Sequence, residues 1–141
     1  MSIRSVRSII GGQTPITAAK SATVLEAALL MKKHGKGALL VVEGPRLIGI
    51  FTERDVVFRV VAAERNPAGT RLAEVMTPHP QTIHPNEPFV HALRIMHKGG
   101  FRHLPVVENE WPVGVVSARD ALDDDLYALR AHLEQRAEER D

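Results

Sequence analysis

The chain has 141 residues, a net charge of +1, 44% apolar and 25% charged residues, and no cysteine. This is ordinary globular composition, enough for one domain or for two small repeats that share a core. It excludes a disulfide framework and thiolate chemistry, and it offers nucleic acid no global field.

No apolar run approaches the ~20 residues of a membrane span. The N-terminus, from Met1 to Arg7, lacks the apolar core of a signal peptide. The expectation is a soluble cytoplasmic protein with no membrane and no nucleic-acid partner. Residues 3–10 read as a short, partly helical lead-in. Pro15 starts a brief extended segment over 15–18. Thr23 opens a helix with Glu26 three residues on, the pattern of a capping box. Val24, Ala27, Ala28 and Met31 make one apolar face, and Gly35 ends the helix. Ala38–Val42 and Leu47–Phe51 pair as a hairpin around Glu43-Gly44-Pro45-Arg46. Thr52 opens a second helix running to about Arg65.

Asn66-Pro67-Ala68-Gly69 links this unit to the next. Leu72–Met76 is a helical turn matching the lead-in, and Pro78, Pro80, Pro85 and Pro88 punctuate the entry to the second unit. Asn86 is placed as the cap of a helix whose apolar face is Phe89, Ala92, Leu93 and Met96. Gly100 ends it. His103–Val107 and Trp111–Val116 form a second hairpin. A last helix is placed from Ser117 to about Arg136, with Leu122, Leu126, Leu129 and Leu133 as its stripe. Asp123-Asp124-Asp125 lies near its N-terminus, where negative charge is favourable. The charged residues Glu134 to Asp141 read as a solvated end.

The chain repeats itself. A shift of 65 residues brings Thr14–Val56 onto His79–Ala121 without a gap, and Pro15/Pro80, Gly35/Gly100, Val41/Val106, Gly49/Gly114 and Asp55/Asp120 fall in step. This duplication predicts an α/β (α+β) fold of two pseudo-symmetric β-α-β-β-α repeats, residues 1–71 and 72–141, packed sheet to sheet. Val56, Val57, Phe58, Val60 and Val61 give the second helix more apolar surface than one core needs. That surplus suggests a homodimer, the commonest symmetric assembly; it could also face the other repeat.

The doubled junction, Gly49-Ile50-Phe51-Thr52-Glu53-Arg54-Asp55 and Gly114-Val115-Val116-Ser117-Ala118-Arg119-Asp120, is the candidate site. A helix N-terminus offers unpaired N–H groups and positive potential to a phosphate. A hydroxyl there can donate to it. An acceptor-only carboxylate one turn in can hold a ribose diol. A glycine lets a ligand approach the backbone. The same residues also read as plain capping boxes, and Arg54 and Arg119 either supply charge to a cleft or balance nearby carboxylates. The second repeat has Phe101, Arg102 and His103 where the first has Lys36, Gly37 and Ala38, so the two sites are expected to be unequal, with the weaker phosphate grip in the first repeat. The seven histidines show no metal-ligand spacing, and no nucleophile motif or phosphate-binding loop is present. Neither a metal site nor an enzyme is expected.

The two junctions in one register, with Phe101-Arg102-His103-Leu104-Pro105-Val106-Val107 as a second-strand signature, resemble a CBS-domain pair without an attached domain. The resemblance covers residues 5 to 130. It implies a regulatory module that binds an adenosine-containing ligand (AMP, ADP, ATP, NAD or S-adenosylmethionine) in clefts between the repeats, with no obligatory cofactor. It implies that Asp55 and Asp120 take the ribose hydroxyls and that Thr52 and Ser117 take phosphate. Thr17 and Thr82 would line the pocket from the first strand, and Arg102 and His103 would contact phosphate. The alternative function is a ligand-independent scaffold for dimerisation or for a regulated protein partner.

Overall fold

The computed structural model describes residues 4–140. Ile3 of the expected lead-in and Asp141 of the charged end lie outside them. The first repeat contains α1 (Val6–Ile10), β1 (Thr17–Ala19), α2 (Val24–His34), β2 (Ala38–Glu43), β3 (Arg46–Thr52) and a short α3 (Glu53–Asp55) continued by a π turn, Val56–Val61. The second contains α4 (Leu72–Val75), β4 (Thr77–Pro78), α5 (Phe89–Gly99), β5 (His103–Glu108), β6 (Trp111–Ser117), a 3-10 turn Ala118–Asp120 and α6 (Asp123–Arg140).

Local chemistry explains most of these boundaries. Thr23 Oγ1 accepts from the Glu26 amide at 3.1 Å and opens α2. Gly35 and Gly100, at φ 62° and 72°, close α2 and α5 in the left-handed region where a side chain is disfavoured. Both hairpins are antiparallel, and each carries a register shift at the equivalent place, Val41/Val42 and Val106/Val107. Duplication has therefore kept the bulge as well as the strands.

The sheets are not equal. The first has four strands in the order β1-β2-β3-β4, and the second has β5 and β6 alone. The expected opening strand of the second repeat shrinks to a parallel bridge from Ile83 to Val106. Pro80 and Pro85 flank it and lack the N–H that would extend a ladder. The fold is the α/β pair of repeats read from the sequence, packed through β3 and β6. Ala38, Leu40 and Ile50 form the buried seam, with Leu47 and Val115 against it.

Three helices depart from expectation. The helix placed from Thr52 to Arg65 has only three α residues before it widens, and the Ala62 amide donates to Val57 O five residues back at 2.9 Å. The run of β-branched valines crowds a regular α turn. Asn86 does not cap α5. Pro88 occupies the N-cap position, while Asn86 Oδ1 accepts from Arg7 at 3.0 Å. The last helix does not begin at Ser117, because Ala121 is extended and breaks the chain (φ −69°, ψ 133°). Asp125 restarts it: its carboxylate accepts from the Leu122 amide at 2.9 Å and is buried in an ion pair with Arg4. The acidic run does lie in the first turn of α6. Of the expected leucine stripe, Leu129 packs on the core, whereas Leu122 and Leu126 are exposed.

The two lead-ins are exchanged between repeats. Val6 and Ile10 of α1 are buried with Phe89, Leu93, Met96 and Val116 of the second repeat. Leu72 and Val75 of α4 are buried with Val24, Phe51 and Val60 of the first. Matching backbone bonds fix both crossings: Val6 N to Glu87 O at 2.9 Å and Phe89 N to Arg4 O at 2.7 Å, against Leu72 N to Ala22 O and Val24 N to Thr70 O, both 2.9 Å. The junction glycines belong to this exchange. A Cβ on Gly114 would lie 2.8 Å from Ile10 Cγ2, and one on Gly49 would meet Met76 Sδ and sit 3.2 Å from Thr77 O. They admit the other repeat's lead-in, not a ligand as the sequence suggested.

Candidate functional site

Two clefts lie between the repeats, and the 65-residue shift relates their walls. One, of about 420 Å³, is lined by Pro15, Ile16, Lys36, Gly37, Ala38, Ser117, Arg119 and Asp120. The other, of about 670 Å³, is lined by Pro80, Gln81, Phe101, Arg102, His103, Thr52, Arg54 and Asp55. Position by position these are the same surface, used twice. Each cleft joins one repeat's strand-to-turn junction to the other's helix-to-strand loop.

That mixing corrects one expectation. Phe101 and Arg102 face the junction of the first repeat, and the junction of the second is met by Lys36 and Gly37. The Asp55 cleft therefore holds the aromatic and the extra guanidinium. His103 lines both clefts, and with Arg102, Ser117 and Arg119 it lines a third recess of about 520 Å³ that opens beside the Asp120 cleft over α2 and Val57. Thr17 and Thr82 are exposed and line none of these cavities.

The junction side chains are partly spent on the backbone. Asp55 Oδ2 accepts from the Thr52 amide at 2.9 Å and from its hydroxyl at 3.2 Å. Asp55 Oδ1 lies 3.5 Å from Arg59 Nε. Asp120 Oδ2 accepts from the Ser117 amide at 2.8 Å. Among the described residues Asp120 Oδ1 has no hydrogen-bond partner. The capping boxes are therefore real; Asp120 keeps Oδ1 for its cleft, whereas Asp55 engages both oxygens, Oδ1 being shared with Arg59.

The turn that Ser117 caps is three residues long, too short to build an appreciable helix dipole, whereas the one that Thr52 caps runs on through the π turn to Val61. Side chains add further positive charge in both clefts. Arg54 reaches the Gly100 carbonyl at 3.3 Å and lies 5.6 Å from the centre of the Phe58 ring. Neither Arg54, Arg102 nor Arg119 is in an ion pair among the described residues. They do not balance carboxylates, so their charge is available to an anion. Burial drives the His103 imidazole below the usual histidine range; Arg102 adds to this, and Glu53 and Asp120 oppose it. Gly37 keeps that corner open, since a Cβ there would stand 2.9 Å from Glu53 Oε1 and 3.3 Å from His103 Nε2.

The family model for the CBS domain matches residues 6–62 and again 72–126. The chain belongs to the CBS-domain family. It is 40% identical over 94 residues to the CBS domain-containing protein CBSCBSPB1 of Arabidopsis thaliana, a match covering 67% of this chain and 17% of that one. The chain thus spans under a fifth of that relative's length. The CBS domain-containing protein YhcV of Bacillus subtilis (strain 168) is 36% identical over 104 residues, 74% of each chain. Among solved structures, the CBS domain pair of protein MJ0100, in complex with 5'-methylthioadenosine and S-adenosyl-L-methionine, superposes with a TM-score of 0.78 at 29% identity. The match covers 90% of this chain and 98% of that one.

Among the described residues no helix is long and apolar enough to cross a membrane, and no group of three or more His, Asp or Glu is placed to hold a metal ion.

Proposed function

We propose that this CBS pair is a regulatory module that binds an adenosine-containing ligand, with an adenine nucleotide (AMP, ADP or ATP) as the first choice, in its two inter-repeat clefts. The observation that carries the reading is the repeated pairing of a junction carboxylate with an arginine in no ion pair, Asp120 with Arg119 and Asp55 with Arg54, Asp120 having an oxygen to spare. An ionised Asp accepts from a ribose diol while a guanidinium takes the phosphate. The adenosine compounds held by the MJ0100 pair, which has the same fold, support the ligand class. On this reading Asp55 with Thr52, and Asp120 with Ser117, fix the sugar. Arg54, Arg102, Arg119 and Lys36 carry the phosphate chain, and His103 stands between the two. The Asp55 cleft, with Phe101 and with Arg54 and Arg102 beside the ion-paired Arg59, suits the more highly phosphorylated ligand.

The test is thermal unfolding against AMP, ADP, ATP, NAD, S-adenosylmethionine and GTP. A ligand that binds only the folded chain raises the midpoint by mass action. Asp120→Asn keeps an acceptor for the Ser117 amide and removes the charge. It should weaken adenosine binding in its cleft by ~10-fold or more, since hydrogen bonds to charged groups contribute about 1.5–3 kcal/mol. Unchanged affinity at that cleft removes Asp120 from the site.

A second observation bears on assembly. Val57, Phe58 and Val61 are 52%, 62% and 67% exposed on adjacent turns. Such a patch needs a partner, and a second copy of this chain supplies one by symmetry. The scaffold reading uses the same patch without a ligand; a flat response across the whole nucleotide panel would favour it.

A further inference from the structure

A separate cavity of about 830 Å³ runs between α5 and α6, away from both junctions. Its walls carry His91, Arg94, His97 and Lys98 from α5 and His132 and Arg136 from α6, over a floor that includes Ile95 and Leu133. No described carboxylate lines it. Glu87 holds His91 at 3.1 Å at one end, and Glu134 pairs with Arg130 rather than with Arg136. Arg94, Lys98 and Arg136 are in no ion pair among the described residues. Elsewhere Arg4, Arg7, Arg59 and Arg65 each have a carboxylate.

Arg94 is the telling residue. Its Nη1 donates to an imidazole nitrogen of His132 at 2.8 Å, and its Nε is buried without an acceptor. A buried guanidinium N–H normally finds an oxygen. Here the partner is an imidazole ring, which orients the fork, and no carboxylate answers its charge among the described residues. Nη2 makes no hydrogen bond among the described residues, and it is this side of the fork that remains for an anion with several acceptor oxygens that reaches both helices.

We propose that the α5–α6 groove binds a compact polyphosphate anion. Arg94 would grip it as a planar fork, with Lys98 and Arg136 as charges on opposite walls. The described lining has no aromatic ring to stack a base and no Asp to hold a ribose, which separates this ligand from a nucleoside and from single-stranded nucleic acid. Gln81 and Gly99 line both this groove and the Asp55 cleft, so the two sites share a rim. The groove's ligand does not depend on the one held in the clefts.

The probe is inorganic tripolyphosphate, titrated calorimetrically into the full chain. Binding should weaken by ~10-fold or more in Lys98→Gln/Arg136→Gln, because each lost contact is charge-assisted. Both residues are exposed, and an unchanged melting midpoint without probe shows that the variant is folded. Arg54→Gln/Arg119→Gln weakens the share of the probe that the clefts take and should leave unchanged the component that depends on Lys98 and Arg136. In the wild type, tripolyphosphate should also slow amide exchange in α6, which the anion staples to α5. The proposal is overturned by no binding to the wild type, by equal binding to the groove variant, or by loss in the cleft variant instead. An RNA oligonucleotide that binds through Lys98 and Arg136 where tripolyphosphate does not would also overturn it, and would assign the groove to nucleic acid.

Discussion

Gly114 has room for a hydrogen and little more. A methyl group there would press on Ile10 Cγ2 at 2.8 Å and Cβ at 3.0 Å, and a β-branched side chain offers no far end to swing aside. Gly114→Ala should destabilise the fold by about 1–3 kcal/mol, as overpacking does, with no loss of ligand affinity per folded molecule; urea titration read beside calorimetry checks both. The doubled glycine was legible in the sequence, but its purpose was not. The atoms that need the space arrive from the other repeat's lead-in, at the far end of the chain. His103 is a second case. The sequence placed it in a site, and only the fold shows it shared by two clefts and driven low by burial. An imidazole whose folded pKa is depressed is favoured neutral in the native state. Its contribution to stability is therefore complete above the ordinary histidine value of 6.5 and is lost as pH falls below it toward the folded value. His103→Gln should flatten that part of the stability–pH curve; a slope unchanged between about pH 7 and pH 5 would assign the pH dependence to other groups.

At the scale of elements, the hairpins and the apolar faces of α2 and α5 followed from periodicity and punctuation. A strand's period of two turns Leu39 with Val41, and Leu104 with Val106, to one face; the glycines set the helix ends. What periodicity missed was set by single contacts. The π turn depends on how four valines share one helical surface, and α6 begins where Asp125 finds Arg4 and the Leu122 amide. Neither partner of Asp125 is marked by any local motif. The lead-in exchange makes a sharper expectation. Ile10→Ala should destabilise the fold by about 2–5 kcal/mol, the range for a buried isoleucine. Adding Gly114→Ala to that background should do less further harm than it does alone, because the contact with Cγ2 at 2.8 Å is gone and only that with Cβ at 3.0 Å stays. A double-mutant cycle measures the coupling, and strict additivity would mean that the two sites do not touch.

For the whole molecule, the pairing of repeats was the most legible feature, since Gly, Pro and Asp identities held in one ungapped register leave little choice of architecture. Here the sequence also overstated symmetry: the second sheet lost its outer strand, and the clefts drew residues crosswise. The exposed Val57, Phe58 and Val61 extend the argument to assembly. Phe58→Asp should convert a dimer to a monomer in sedimentation at micromolar concentration, with the fold kept, because this side chain is already 62% exposed; a wild-type monomer would show that the patch has another use. The exchanged lead-ins also govern the order of events at the ribosome. Residues 4–10 emerge before the rest of the pair, yet their hydrogen bonds and burial wait for Glu87, Phe89 and Val116. Synthesis at about 5–20 residues per second leaves that segment unpartnered for several seconds. The first repeat can close only once α4 has emerged behind it, and the second only by reaching back to the start. Each half is finished by the other, so folding should register as one slow, non-local step rather than two independent ones.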